Sequence, residues 1–238
     1  MIYVCFTYAD DAAMLGMVAE RLRQLDDSAI IYAISDPASP LNAEQLPEGV
    51  RHRMGSEKRQ GNLNGLPIVA EELQTFLTLM ELHGTEACVK IDADCYPLSL
   101  HPLEKEGEMV ICERFEPLTP AGMIYRLTRK MAQAILALFQ GRVERQEWVP
   151  AHYPEDKTLW QLALHTQLPV ALLPYTSGVA AGAADAAPGD MPPHIKKACF
   201  VHCGEPLSNG QRVSREHATL RMRCLEAAIK APFLSIDK

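Results

Sequence analysis

A chain of 238 residues, 47% hydrophobic and 22% charged, has room for one large or two small folded domains and lies well outside the composition of disordered sequences. Its formal charge of −7 excludes a basic field over the whole molecule, and with it broad nucleic-acid binding. A local basic cluster or a bound metal ion still admits a small anionic ligand. Residues 2–8, IYVCFTY, are rich in β-branched and aromatic types and predict a buried strand. Asp10 is placed to cap the helix that follows, whose apolar stripe is Met14, Val18, Leu22 and Leu25. AIIYAI at 29–34 reads as a second strand, ended by the turn residues of SDPASP. Strand, helix and strand in such short order open a parallel α/β sheet.

Residues 47–66 are polar and basic, with Arg51, His52, Arg53, Lys58 and Arg59 followed by GNLNG, and predict a loop. Pro67 fits the first turn of a helix carrying Val69, Leu73, Phe76, Leu77 and Met80 on one face, with Gly84 just past its end. ACVKI at 87–91 is a third strand, and MVIC at 109–112 a short fourth. Ile124, Leu127, Met131, Ile135 and Leu138 predict one helix, closed by Gly141; Pro154 opens a shorter one with Glu155, Asp156, Leu159, Leu162 and Ala163. LPVALLP at 168–174 reads as a strand. Residues 177–193, SGVAAGAADAAPGDMPP, carry no periodicity and predict a mobile loop, which reads equally as a cover for a site or as a plain spacer. ACFVHC at 198–203 is a last strand, and Ser214 caps a C-terminal helix with Leu220, Cys224, Leu225 and Ala228.

Seven cysteines is an odd number, and most lie in apolar runs (Cys5, Cys88, Cys112, Cys199, Cys224), which reads as reduced thiols. Cys199 and Cys203 are too far apart for a CxxC pair, so no zinc site is expected. No apolar stretch approaches the ~20 residues of a membrane-spanning helix, and Met1-Ile-Tyr-Val lacks the basic start of a signal peptide. These features predict a soluble cytoplasmic protein.

The chemistry concentrates in VKIDADCYPL, residues 89–98. On extended chain, residues i and i+2 point the same way, so Asp92 and Asp94 are able to converge on one ion. Hard oxygen ligands suit Mg²⁺ or Mn²⁺, which typically take one or two carboxylates and complete their shells with substrate phosphates. Taken alone, the pair reads more readily as a solvated strand-to-loop turn.

Several segments in order resemble the GT-A fold of nucleotide-sugar-dependent glycosyltransferases. They are the opening βαβ, the polar RQGNLNG before a helix, VKIDADCYPL, PEDKTLW and FVHCG. The first acidic segment is similar to the family's DxD strand, PEDKTLW to its acidic motif at a helix start, and FVHCG to its C-terminal histidine strand. The resemblance spans most of residues 1–204. It implies an α/β, Rossmann-like, mostly parallel sheet with helices on both faces, here in a single domain over 1–238. It further implies that Asp94, and Asp92 directly or through water and ribose, hold a divalent cation, Mn²⁺ or Mg²⁺, on the diphosphate of a donor sugar nucleotide. His202 would complete that shell, although a histidine at a strand end is as readily a hydrogen-bonded one. Thr7, Tyr8 and Asp36 resemble positions that contact base and ribose. Arg59, Asn62 and Asn64 fall in the polar segment beside the donor, where the basic run Arg51, Arg53, Lys58 and Arg59 offers neutralisation of the diphosphate. Asp156, with Glu155 beside it, is the implied general base toward an acceptor hydroxyl in an inverting transfer. Acids in a first helical turn also serve the helix dipole, and a retaining enzyme needs no such base.

A metal-dependent glycosyltransferase is therefore the expected activity. Two other readings use the same residues: a non-catalytic GT-A-like domain that binds nucleotide or a partner, and a metal-dependent nucleotidyltransferase or phosphohydrolase. Against the last, no Gly-rich phosphate loop occurs near the N-terminus.

Overall fold

The computed structural model describes residues 1–59, 65–113, 120–144, 155–173, 199–204 and 213–230. β1 (Ile2–Thr7), α1 (Ala12–Leu25) and β2 (Ile30–Ser35) form the expected parallel unit, and β3 (Val50–Met54) adds to β2. α2 (Gly65–His83) leads into β4 (Ala87–Ile91), which pairs parallel with β1 on the side away from β2. β5 (Cys95–Pro97), β6 (Met109–Glu113), β7 (Pro120–Thr128), α3 (Arg129–Glu144), α4 (Glu155–His165) and β8 (Val170–Leu173) follow, then β9 (Phe200–His202) and α5 (Arg215–Lys230). The main sheet has seven strands in the order β3-β2-β1-β4-β7-β6-β8. β7 is its reversed strand, antiparallel to both β4 and β6, so the sheet is mostly parallel. β5 and β9 pair antiparallel in a separate two-stranded ribbon.

Alternation along β1 builds both faces. Tyr3 and Cys5 pack with Met14, Leu15, Val18 and Leu22 of α1 and with Met222 and Leu225 of α5. Ile2, Val4 and Phe6 point the other way, onto Val69, Leu73 and Phe76 of α2 and the apolar residues of α3 and α4. Burying each large apolar side chain contributes roughly 1.5–3 kcal/mol, and both layers draw on the same strands, so the sheet is clamped between them.

Four expectations need correcting. Gly141 does not close its helix, which runs on to Glu144. The helix expected to start near Ile124 starts at Arg129, because Ile124 and Leu127 belong to β7. That strand is buried on both faces, so it shows no clean alternation, and its apolar residues fall by chance in step with the helix behind it. Thr128 marks the true boundary: its hydroxyl accepts the Met131 amide at 3.2 Å as an N-cap. The polar run at 50–54 is not loop but the edge strand β3, in which Val50 is buried and the next four residues are exposed. An edge strand takes its register from backbone pairing and carries charge outward, which hides it from a hydrophobic pattern. Finally, the residue before the first helix that folds back is Asp11, not Asp10: residues 9–11 form a 3₁₀ turn, and the Asp11 carboxylate accepts the Tyr8 amide at 3.1 Å.

Other local signals hold. Gly84 takes the left-handed conformation (φ 62°) beyond α2, and the Thr85 amide reaches back to the Met80 carbonyl at 2.9 Å. Ser214 caps α5, its hydroxyl accepting the His217 amide at 3.2 Å. Among the described residues no helix is long and apolar enough to cross a membrane.

Candidate active site

Going outward from β1, the chain places β2 on one side and β4 on the other, which makes β1/β4 the switch point of the sheet. Ligands of open α/β sheets bind beyond the carboxyl ends of the strands at such a point. A cavity of about 230 Å³ lies there. Its floor is made by Phe6 and Tyr8 after β1 and by Lys90, Asp92, Ala93 and Asp94 around the end of β4. Arg59, Ile68, Glu72 and Glu155 form one wall, and Asp11, His202 and Arg215 the other. Asp11, Glu72, Asp92, Asp94 and Glu155 outnumber Arg59, Lys90 and Arg215, so with His202 neutral the described wall is net negative.

Lys90 precedes the two aspartates on the same strand face. Its Nζ lies 2.6 Å from Asp92 Oδ1 and donates to the Gly122 carbonyl, with the side chain only 3% exposed. Burial works against its charge, but Asp92, Glu155 and Glu72 together hold its pKa above the ordinary lysine value. Desolvation at the cavity floor raises the Asp92 carboxyl above its ordinary value, with Lys90 opposing and Asp94 and Glu155 adding to the rise.

Asp94 is oriented from three sides. Its backbone carbonyl accepts the Cys203 amide at 2.7 Å, one of the bonds that tie the β4–β5 turn to β9. Its Oδ1 lies 3.4 Å from His202 Nε2, and Oδ2 lies 3.5 Å from Arg215 Nη1. Burial opposes ionisation, but His202, Arg215 and Lys90 outweigh it and hold the Asp94 carboxyl below its ordinary value. The β5–β9 register sets His202 opposite Cys95, beside Asp94. A Cβ added to Gly204 would fall 2.0 Å from Asp94 Oδ2 and 3.4 Å from His202 Nε2, so the bare glycine is what lets both side chains turn to one point.

The opposite wall is a closed ionic network. Arg59 donates to Glu72 at 2.7 Å and Glu71 at 2.9 Å, with its guanidinium 3.7 Å from the centre of the Phe6 ring. The second Glu72 oxygen accepts the Tyr125 hydroxyl at 2.7 Å. Arg59 thus reaches the cavity with its charge already matched by two carboxylates.

Of the residues singled out in the sequence, Tyr8, Arg59, Asp92, Asp94, His202 and Glu155 all line this cavity. Asp156 does not: it is buried, its Oδ1 accepts the Lys157 amide at 2.8 Å, and its Cβ occupies the space a Gly122 side chain would fill. Thr7 is buried behind the floor. Asp36 accepts the Ala38 and Arg59 amides, each at 2.7 Å, and so holds the turn after β2. Arg51 leans away from the cavity, toward Tyr32 and His83. Asn62, Asn64 and the loop at 177–193 lie outside the described residues.

Sequence reasoning missed Lys90, Glu72, Asp11 and Arg215. Lys90 was legible from alternation, two residues before Asp92. Glu72 stood out as a charge inside the apolar stripe of α2. Asp11 and Arg215 carry no local signal, because they meet only in the fold.

Could a divalent cation fit? Asp94 and His202 offer an oxygen and a nitrogen donor around the recess at Gly204, and Asp92 Oδ2 has no partner assigned by the Lys90 pair. Among the described residues no group of three or more His, Cys, Asp or Glu already forms a cage. The donors match the sparse protein shell of a cation whose remaining ligands come from phosphate and water.

No protein-family profile matches the chain, and no curated protein is detectably similar to it in sequence. By structure it is similar to a glycosyltransferase involved in the glycosylation of the major capsid of PBCV-1, with a TM-score of 0.53 over 93% of this chain and 98% of that one. Sequence identity is 11%, so the likeness is one of fold: a glycosyltransferase-like α/β architecture.

Proposed function

We propose that the protein, acting as a single domain over 1–238, is a metal-dependent glycosyltransferase. It would take a sugar from a nucleoside-diphosphate sugar and pass it to a hydroxyl-bearing acceptor. The observation that carries this reading is the convergence of Asp92, Asp94 and His202, from two distant parts of the chain, on the switch-point cavity. A diphosphate is anionic and the described wall is net negative, so a cation held by Asp94 and His202, with Asp92 adjacent, reconciles the two. When bound, that Mn²⁺ or Mg²⁺ would supply Lewis-acid stabilisation of charge growing on the leaving diphosphate.

The chain's own residues account for the rest. Lys90 fixes Asp92 and adds positive charge beneath the donor site. Glu155 has its side chain on the cavity wall and is assigned to accept the proton of the acceptor hydroxyl. Asp156, packed on Gly122, positions that end of α4. Tyr8 offers a ring at the end of β1 for the nucleotide. The buried free thiols of Cys5, Cys88, Cys95 and Cys203 support a reducing, cytoplasmic setting.

A thermal-shift panel of nucleoside diphosphates and their sugars, with Mn²⁺ and with chelator, tests the proposal. A ligand that binds only the folded chain raises the melting temperature by mass action. A shift that requires both metal and diphosphate, followed by sugar transfer in product analysis, is expected. Pyrophosphate release instead would assign the chain to nucleotidyl transfer, and no shift with any member would remove the donor site.

A further inference from the structure

Arg215 is the first residue of α5, and its guanidinium bridges two carboxylates that no local sequence signal connects. Its Nε lies 3.0 Å from Asp11 Oδ1 and its Nη1 3.5 Å from Asp94 Oδ2, with Cζ 5.7 Å from the centre of the Tyr8 ring. Asp11 is 2% exposed, and no hydrogen bond of good geometry reaches its Oδ1, so the ion pair with Arg215 is what matches that oxygen. Among the described residues, the three basic side chains on the cavity wall are not equivalent. Arg59 is 9% exposed and fixed by Glu71 and Glu72, and Lys90 is 3% exposed and fixed by Asp92 and Gly122. Arg215 is 44% exposed, and it also lines a neighbouring surface hollow with Asp10, Ser214 and Thr219. It has room to leave without unpacking the core.

We propose that Arg215 is an internal counter-ion: its Nη side holds Asp94 until a divalent cation takes that carboxylate, and it then turns to the diphosphate of the donor while Nε stays on Asp11. The proposal rests on the glycosyltransferase reading of the cavity. A cation on Asp94 and the guanidinium beside it repel each other, so the two compete for one carboxylate oxygen. Once displaced, a planar guanidinium at the mouth of the cavity suits two phosphate oxygens side by side. The consequence is a pair of opposite signs. Removing the Arg215 charge strengthens binding of metal alone and weakens binding of diphosphate once metal is present.

Calorimetry on the full chain reads both. For Mn²⁺ alone, Arg215→Gln should bind about fivefold more tightly than the parent, the scale of one exposed ion pair. For inorganic pyrophosphate in saturating Mn²⁺, it should bind about tenfold more weakly, the scale of a lost charge-assisted hydrogen bond. Arg215→Lys, which keeps the charge, should fall between the two in each titration, and matching melting curves would show that the variants fold. Asp94→Asn separates the claims. If it binds Mn²⁺ as well as the parent, the metal reading of the cavity fails. If it loses Mn²⁺ while Arg215→Gln leaves Mn²⁺ affinity unchanged or weaker, that reading stands and the counter-ion role is overturned.

Discussion

Gly204 matters for the side chain it does not have. A methyl group there would overlap Asp94 Oδ2 at 2.0 Å, and the carboxylate is a short, buried stub with little freedom to yield. If Asp94 holds the proposed cation, Gly204→Ala should therefore keep the fold and lower Mn²⁺ affinity by about tenfold, as disturbing a ligand's orientation does. Calorimetry giving parental affinity would detach Asp94 from the metal. Asp11 supplies a test of a different kind. Burial pushes its carboxyl up to about 6 despite Arg215, from an ordinary value of 3.8. Between those two values the folded chain binds more protons than the unfolded one, so this group's contribution to stability falls as pH rises through that window. Asp11→Asn keeps the acceptor for the Tyr8 amide and removes the titration. It should be more stable than the parent at pH 7.5, by roughly 1–3 kcal/mol from the size of the shift, and equal to it only below the ordinary value of 3.8. Denaturation midpoints that differ equally in both conditions would refute this account.

The elements around the cavity are locked by contacts with little redundancy. The peptide of Cys203 is gripped at both ends: its amide donates to the Asp94 carbonyl at 2.7 Å, and its carbonyl accepts from Arg221 of α5 at 2.9 Å. The N-terminus of α4 sits against β7 through Asp156 on Gly122, whose missing Cβ would come 2.5 Å from the Asp156 Cβ. Gly122 also accepts the Lys90 ammonium, so one residue sets the spacing between Glu155 and the aspartate strand. If Glu155 is the base of the proposed transfer, Gly122→Ala should push α4 outward and lower turnover by about tenfold or more, the penalty of misplacing a base by roughly an ångström, with affinity for the proposed donor little changed. Equal losses in donor affinity and turnover would mean that the whole cavity had distorted. These same elements show where sequence stops being legible. The strand that ends in Asp92 and Asp94, the first helix of the chain and the strand with His202 carried their own patterns. β3 did not, because its side chains face solvent and its pairing is made by backbone. β7 did not, because a strand covered on both faces has no polar side to alternate with. Asp11 and Arg215 were illegible for a third reason: their partnership is a contact between the chain's first and last described helices.

The division of the molecule into two apolar layers on one sheet predicts how it opens. Cys5 packs in one layer and Cys88 in the other, both 1% exposed or less. Burial pushes the Cys5 thiol well above its ordinary value and the Cys88 thiol up to about 12, so neither reacts while the chain is folded. If the sheet is shared by both layers as one cooperative unit, the two thiols should be labelled by a thiol reagent at the same rate, set by global unfolding. Cys199 and Cys224, which are partly exposed, should be labelled sooner. Cys88 reacting well ahead of Cys5 would show that one layer peels away alone. The fold class was readable because the opening βαβ declares it within 35 residues. The 11% identity to a chain of like architecture shows how little of a fold depends on particular side chains beyond pattern.

The pairing of Cys95 with His202 has a consequence for a chain being made. The seven strands of the main sheet are all encoded before residue 174, so a nascent chain released by the ribosome to that point already holds every strand of the scaffold and both aspartates. It lacks β9, Gly204 and the helix that bears Arg215 and Arg221. Synthesis therefore passes through a stage in which a sheet able to fold carries an aspartate pair with neither its histidine nor its arginine. The proposed site would be completed only late, as β9 adds to β5 and the C-terminal helix docks.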